Sequence, residues 1–187
     1  MIRRLAVHKL REWRYSEDRK PLIIRGVRQV GKTTLVKEFA KEFDTFLHLN
    51  LERSKDSELF EQTDDVGQLL QSIYFHKKQE QKDGSVLLFI DEIQNSKKAV
   101  AMLRYFYEEA PEIHVIVAGS LLETVMDVRK ISFPVGRVEF MSLRPCSFLE
   151  FLGGLGEDFD KELVENFSVE SVVHDRVMQL FREYVLV

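Results

Sequence analysis

Pro21-Leu22-Ile23-Ile24-Arg25-Gly26-Val27-Arg28-Gln29-Val30-Gly31-Lys32-Thr33-Thr34 is the stretch whose pattern decides the fold. Its first half is a short apolar run ending at a glycine, which predicts a buried strand. After Gly31, the residues Leu35, Val36, Phe39 and Phe43 recur at helical spacing, which predicts a helix from Lys32 to Phe43. Between strand and helix, Gly26 to Thr33 read G-x4-G-K-[ST], a phosphate-binding loop in the context that motif requires. Glycines let a backbone wrap closely round phosphate oxygens and turn its N–H groups inward. The helix N-terminus that follows adds partial positive charge for the same anion. Lys32 is placed to reach the β- and γ-phosphates, and the Thr33 hydroxyl to hold Mg²⁺. The loop residues Gly26, Val27, Arg28, Gln29, Val30 and Gly31, with Thr34, complete the expected nucleotide contacts.

Outward from the loop, strands and helices alternate. A charged helical stretch lies near residues 3–14, punctuated by Leu5, Leu10 and Trp13. Thr45 to Leu51 alternates as a strand does, and residues 64–80 carry Val66, Leu69, Leu70, Ile73 and Tyr74 on one helical side. Asp83-Gly84 turns into Val86-Leu87-Leu88-Phe89-Ile90, a strand apolar on both faces. Lys97 to Glu109 predicts a helix stopped by Pro111; Ile113 to Ala118 and Arg137 to Leu143 predict two more strands, and Ser147 to Leu152 a helix. This order predicts an α/β three-layer sandwich on a mostly parallel five-stranded sheet. Residues 1–19 read as an N-terminal helix, 20–152 as the core, and 153–187 as a helical segment opening a second domain, with the break at Gly153-Gly154-Leu155-Gly156. Val177, Leu180, Phe181, Tyr184 and Val185 form an apolar stripe that needs covering, so the chain is expected to be a piece of a longer protein.

The second chemical motif closes the Val86–Ile90 run with two adjacent carboxylates, Asp91 and Glu92. A carboxylate at the C-terminal end of a central strand lies at the crevice where open α/β sheets bind ligands. Asp91 is therefore the expected Mg²⁺ ligand beside Thr33, and Glu92 the expected base that polarises the attacking water. This pair points to ATP. A GTPase needs an Asn-Lys-x-Asp signature, which Asn95-Ser96-Lys97-Lys98 is not, and no Arg-rich lid of a small-molecule kinase is visible. Ser120, after the fourth strand, suits either a γ-phosphate sensor or a helix cap. Arg137 suits either transition-state charge, in its own subunit or a neighbour's, or a plain surface position. Arg28 is expected to meet nucleotide or a nearby carboxylate.

With 44% apolar and 11% aromatic residues, the 187-residue chain can bury a core, which excludes a largely disordered protein. No apolar run suits a membrane span and the N-terminus is no signal peptide, so a cytoplasmic protein is expected. Cys146 is alone and the five histidines are scattered, which leaves no metal-ligand cluster. The net charge of −4 divides into +8 over residues 1–41 (12 basic, 4 acidic) and −12 over the remainder (15 basic, 27 acidic). The basic front end suits either a polyanionic partner or charges used at the nucleotide site and on a solvated helix.

Arg25 to Leu35, Leu88 to Gln94, Val117 to Ser120, Gly136-Arg137 and Leu143 to Phe151 together resemble the prokaryotic AAA-type ATPases of the AAA_14 family. The resemblance covers roughly residues 20–152. It implies Mg²⁺-dependent ATP binding and hydrolysis that couples nucleotide state to a partner or an appended domain, usually one known as DUF4143. Val135 stands where the family usually has Leu before Gly-Arg, and the C-terminal domain is missing. The resemblance also implies a homo-oligomer, in which a neighbour's arginine completes the site and the isolated chain turns over slowly. The alternative is an ATP-binding regulator, or a nucleic-acid-binding protein, with little hydrolysis of its own.

Overall fold

The structure, a computed structural model, describes residues 2, 4–119, 132–156 and 171–186. Its strands are β1 (Leu22–Arg25), β2 (Thr45–Asn50), β3 (Val86–Asp91), β4 (His114–Ala118) and β5 (Glu139–Ser142). Its helices are α1 (Ala6–Arg14), α2 (Lys32–Phe39), α3 (Ser54–Glu58), α4 (Val66–Lys77), α5 (Lys97–Glu109), α6 (Phe148–Leu155) and α7 (Ser171–Leu186). The strands form one sheet in the order β2-β3-β4-β1-β5, and every neighbouring pair is parallel. This is the expected α/β architecture, with the sheet wholly rather than mostly parallel.

Position in the sheet explains each strand's composition. β3 and β4 are central and buried at every residue, which is why both are almost unbroken apolar runs. β2 lies at an edge and alternates buried with half-buried residues, giving the observed period of two. On one face, Ile23, Leu49, Ile90 and Val117 join Leu69 and Ile73 of α4 and Val100, Leu103 and Phe106 of α5 in a single core. On the other face His114 meets Trp13 of α1 and Phe43 edge-on, with ring centroids 6.0 and 4.9 Å away.

The second helix ends earlier than its apolar spacing predicts. A 3₁₀ turn over Ala40–Glu42 follows α2, and Phe43 is already extended at φ −115°. Its ring still packs on Phe39, 5.2 Å between centroids, so the apolar period survives the change of backbone. Residues 52–63, unassigned from the sequence, hold α3 and a second 3₁₀ turn. Asp56 of α3 is buried, accepts the Asn50 N–H at 2.8 Å, and pairs with Lys77 and His76 at the end of α4.

The chain divides into two compact units, Lys9–Leu143 and Met1–His8 with Arg144–Val187. The second unit is ordered by a capping box: Ser147 Oγ accepts the Glu150 N–H, and Glu150 returns a carboxylate to the Ser147 N–H at 2.8 Å. The same carboxylate accepts the Leu5 N–H and pairs with Arg4. Phe181 and Tyr184, from the apolar stripe read in the sequence, pack on Phe148 of α6, and Tyr184 Oη donates to the Cys146 carbonyl at 2.7 Å. No helix among the described residues is long and apolar enough to cross a membrane.

Candidate nucleotide site

Parallel register sets Ile24, Ala118 and Asp91 side by side across β1, β4 and β3. The loop after β1 and the acidic end of β3 therefore flank β4 at one C-terminal edge of the sheet, the edge at which such sheets take ligands.

The loop needs its glycines for two separate reasons. A Cβ on Gly26 would stand 2.5 Å from the Leu143 carbonyl oxygen, so only glycine lets the loop leave β1 beside the end of β5. Gly31 has φ 94° and Gln29 φ 63°, left-handed conformations that turn the chain sharply into α2. Gly31, at the N-cap of α2, offers no side chain to cap the helix, and the first turn carries no carboxylate. Its N–H donors are thus left for an anion. Lys32 is buried, and its ammonium donates to the Gly26 and Val27 carbonyls at 2.8 and 2.9 Å. Burial pushes that ammonium below its ordinary range, against the pull of Glu92 and then Asp91. Val27, Arg28, Gln29 and Thr34 are exposed round the loop.

Thr33 Oγ1 donates to Asp91 Oδ2 at 2.7 Å, which joins the two motifs in one contact. Asp91 is 7% exposed, and its other oxygen accepts the Glu92 N–H at 3.1 Å. Burial lifts its carboxyl above the usual carboxylate range; the Thr33 bond opposes this and the Glu92 charge adds to it. A buried carboxylate beside a hydroxyl is a hard-oxygen pair that suits Mg²⁺. Glu92 is left-handed, φ 54° and ψ 46°, a conformation that costs a non-glycine residue about 1–3 kcal/mol and clusters at functional sites. Its Oε2 accepts the side-chain amide of Gln94 at 2.5 Å. Sequence reasoning passed over Gln94; the available signal was a polar residue two places after the acidic pair, on a turn anchored by the fully buried Ile93.

Arg137 is not brought to this group. Its neighbour Glu139 pairs in register with Leu22 at the start of β1, so Arg137 lies at the N-terminal edge of the sheet, opposite the loop. There it donates to Glu108 at 2.8 Å, and Glu108 also accepts Arg104. Ser120 lies outside the described residues. Several front-end cations are bound within the fold: Arg11 to Glu42 at 2.6 Å, Arg14 to the Glu42 carbonyl at 2.7 Å, Arg19 to the Pro111 carbonyl, and Lys20 to Asp18 at 3.4 Å. Among the described residues no cluster of His, Cys, Asp and Glu forms a further metal site.

A parallel sheet with this loop and this acidic strand end defines a P-loop NTPase. The sequence matches the family described as AAA domain, AAA_14, over residues 18–152, and the chain belongs to that family. Among solved structures, the Walker-type ATPase PABY2304 of Pyrococcus abyssi is similar, with a TM-score of 0.57 and 17% identity over 85% of this chain. That match spans 58% of the other protein's length, and at this identity the likeness is one of fold. No curated protein matches the chain.

Proposed function

We propose that this chain is an Mg²⁺-dependent ATPase module whose nucleotide state acts on an appended domain or partner. The contact between Thr33 and Asp91 carries the reading, because it draws the loop hydroxyl and the strand-end carboxylate into one pair of oxygen donors. Mg²⁺ held there would neutralise charge on the β- and γ-phosphates. The N–H groups at the start of α2 receive phosphate oxygens, and Lys32 exchanges its two loop carbonyls for them. Glu92 orients water and takes its proton, a role worth about 10²–10⁴ in rate. Ser120 keeps its proposed part as a γ-phosphate sensor.

A second reading, slow turnover by the isolated subunit, is favoured by the position of Arg137. From the far edge of its own sheet, Arg137 is proposed to act on the nucleotide of a neighbouring copy, a contribution of about 10³–10⁵ in related systems. Arg11, Arg14, Arg19 and Lys20 are paired within the fold, and no observation favours nucleic acid as a partner.

The test is ATP turnover with Mg²⁺ across a hundredfold range of protein concentration. Glu92→Gln should bind Mg·ATP as the unmodified chain does and lose at least about 10²-fold in turnover. Turnover within threefold of the unmodified chain would remove Glu92 from the role of base. Turnover per subunit that stays flat with concentration would remove Arg137 from its role in trans.

A further inference from the structure

We propose that β5 is the contact strand of a two-fold homodimer in which each copy's Arg137 reaches the nucleotide bound by the other. The inference rests on the reading that Arg137 acts in trans, and it supplies the surface and the partner, a second copy of this chain.

The sheet ends at β2 on one side and β5 on the other, and the two edges differ. In β2 the Leu51 N–H donates to the Asp91 carbonyl, so Phe46, His48 and Asn50 turn their backbone groups outward. There Asp56 Oδ2 accepts the Asn50 N–H at 2.8 Å, and the Gln79 amide donates to the Phe46 carbonyl at 3.3 Å. Side-chain plugs of this kind keep an edge strand from pairing with another chain. In β5 the Glu139 and Leu143 N–H groups donate to the Pro21 and Arg25 carbonyls, so Phe140 and Ser142 are the residues facing outward. Among the described residues no hydrogen bond meets their outward groups, and both residues are exposed, Phe140 at 48%.

Continuing the sheet about a two-fold axis makes the two β5 strands antiparallel. Centred on Met141, the pairing sets Phe140 opposite the partner's Ser142, so the outward N–H and C=O groups satisfy one another and a small residue faces the large ring. The reversal of direction also decides the chemistry. Arg137 precedes β5 at the N-terminal edge of the sheet, whereas Leu143 follows it, against Gly26 of the phosphate loop. In the dimer each Arg137 therefore lies just past the partner's Leu143, two strand spacings, or about 10 Å, from the partner's β1. A cation meets the end of the sheet where a triphosphate brings negative charge, and it does so twice. Within its own chain Arg137 is held by Glu108 at 2.8 Å, a surface pair of the weak kind that phosphate oxygens can replace. The shared strand is short, so the dimer forms as protein concentration rises and is strengthened by bound nucleotide.

The experiment places one cysteine at the proposed two-fold axis, Met141→Cys, with Cys146, the only native cysteine, changed to serine. Opposed residues of such a pair stand about 4.5 Å apart at Cα, within the span of a disulfide. A cavity of about 310 Å³ lined by Trp13, Glu139 and Met141 lets diamide reach the thiols. With Mg·ATP and diamide, a disulfide-linked dimer is expected whose turnover per subunit no longer varies with concentration. Adding Arg137→Ala should leave the link intact and lower that turnover by about 10³-fold or more. A second variant, Phe140→Lys, sets like charges near the axis. It should stay monomeric in sedimentation and keep the turnover of the dilute chain at every concentration, with nucleotide affinity unchanged within twofold. Absence of a linked dimer overturns the proposal, as does a Phe140→Lys chain that associates and accelerates like the unmodified one. Failure of the underlying reading looks different: the linked dimer forms, but Arg137→Ala leaves its turnover unchanged, and both ideas fall together. Turnover lost in Arg137→Ala with no linked dimer refutes the β5 contact alone.

Discussion

Gly26→Ala tests the close approach on which the loop depends. The added Cβ would stand 2.5 Å from the Leu143 carbonyl oxygen, whereas ordinary contact begins at 3.4 Å, so the two must part by 0.9 Å (3.4 − 2.5). Neither side yields easily. The Leu143 N–H donates to the Arg25 carbonyl at 2.7 Å, which ties that end of β5 to the residue just before Gly26. Overpacking of this kind costs about 1–3 kcal/mol, or roughly 2–12 °C in Tm for a chain of this length. The loop N–H groups move with the backbone, and a misplacement of about 1 Å can cost on the order of a hundredfold in a site that works by alignment. Nucleotide at about 100 times Kd stabilises the unmodified chain by about 2.7 kcal/mol. A hundredfold weaker site at the same concentration retains about 0.4 kcal/mol. Urea denaturation with and without Mg·ATP measures both quantities. A Gly26→Ala chain with the unmodified midpoint and the full nucleotide increment would refute the steric argument.

Three other outcomes are expected. Lys32→Ala should abolish the nucleotide-dependent rise in Tm; a rise equal to that of the unmodified chain would remove Lys32 from the phosphate site. Asp91→Asn should stabilise the ligand-free chain at pH 7, because burial disfavours the charge it removes, while the Mg²⁺-dependent part of nucleotide binding is lost; calorimetry showing destabilisation instead would contradict the burial argument. His48 lies between the Phe46 and Phe89 rings, with its Nε2 buried and unpartnered among the described residues, and burial lowers its pKa from 6.5 to about 4. The unfolded chain then binds more protons between those values, so stability falls as pH drops from about 6.5 to about 4. His48→Phe should flatten that part of the urea-midpoint profile, and an unchanged slope would assign it to other groups.

Much of the fold is legible because its signals are local. The almost unbroken apolar runs of β3 and β4, the helical spacing after Gly31, and Pro111 after α5 each act within one element or turn. The phosphate loop is legible for the same reason, since backbone geometry there depends on glycines a few residues apart. Where the helical spacing misled, the cause was also physical: Phe43 keeps the apolar period of α2 while its backbone is already extended.

Other features depend on residues distant in sequence, and no local period encodes them. Leu143 makes Gly26 obligatory, but only because β5 pairs beside β1. Arg137 follows a loop glycine, a place that suits an arginine of a nucleotide site, yet parallel pairing of β5 with β1 carries it to the opposite edge of the sheet. Asp91 meets Thr33 because β4 lies between β3 and β1 at matching register, and the Glu92–Gln94 bond needs a left-handed residue that composition does not announce. By itself the sequence determined which elements form and which residue types can do phosphate chemistry, since both follow from short-range sterics and period. Only the tertiary structure decided which of those residues share a site, because strand order and register, set by burial of both faces of the sheet, govern what stands next to what.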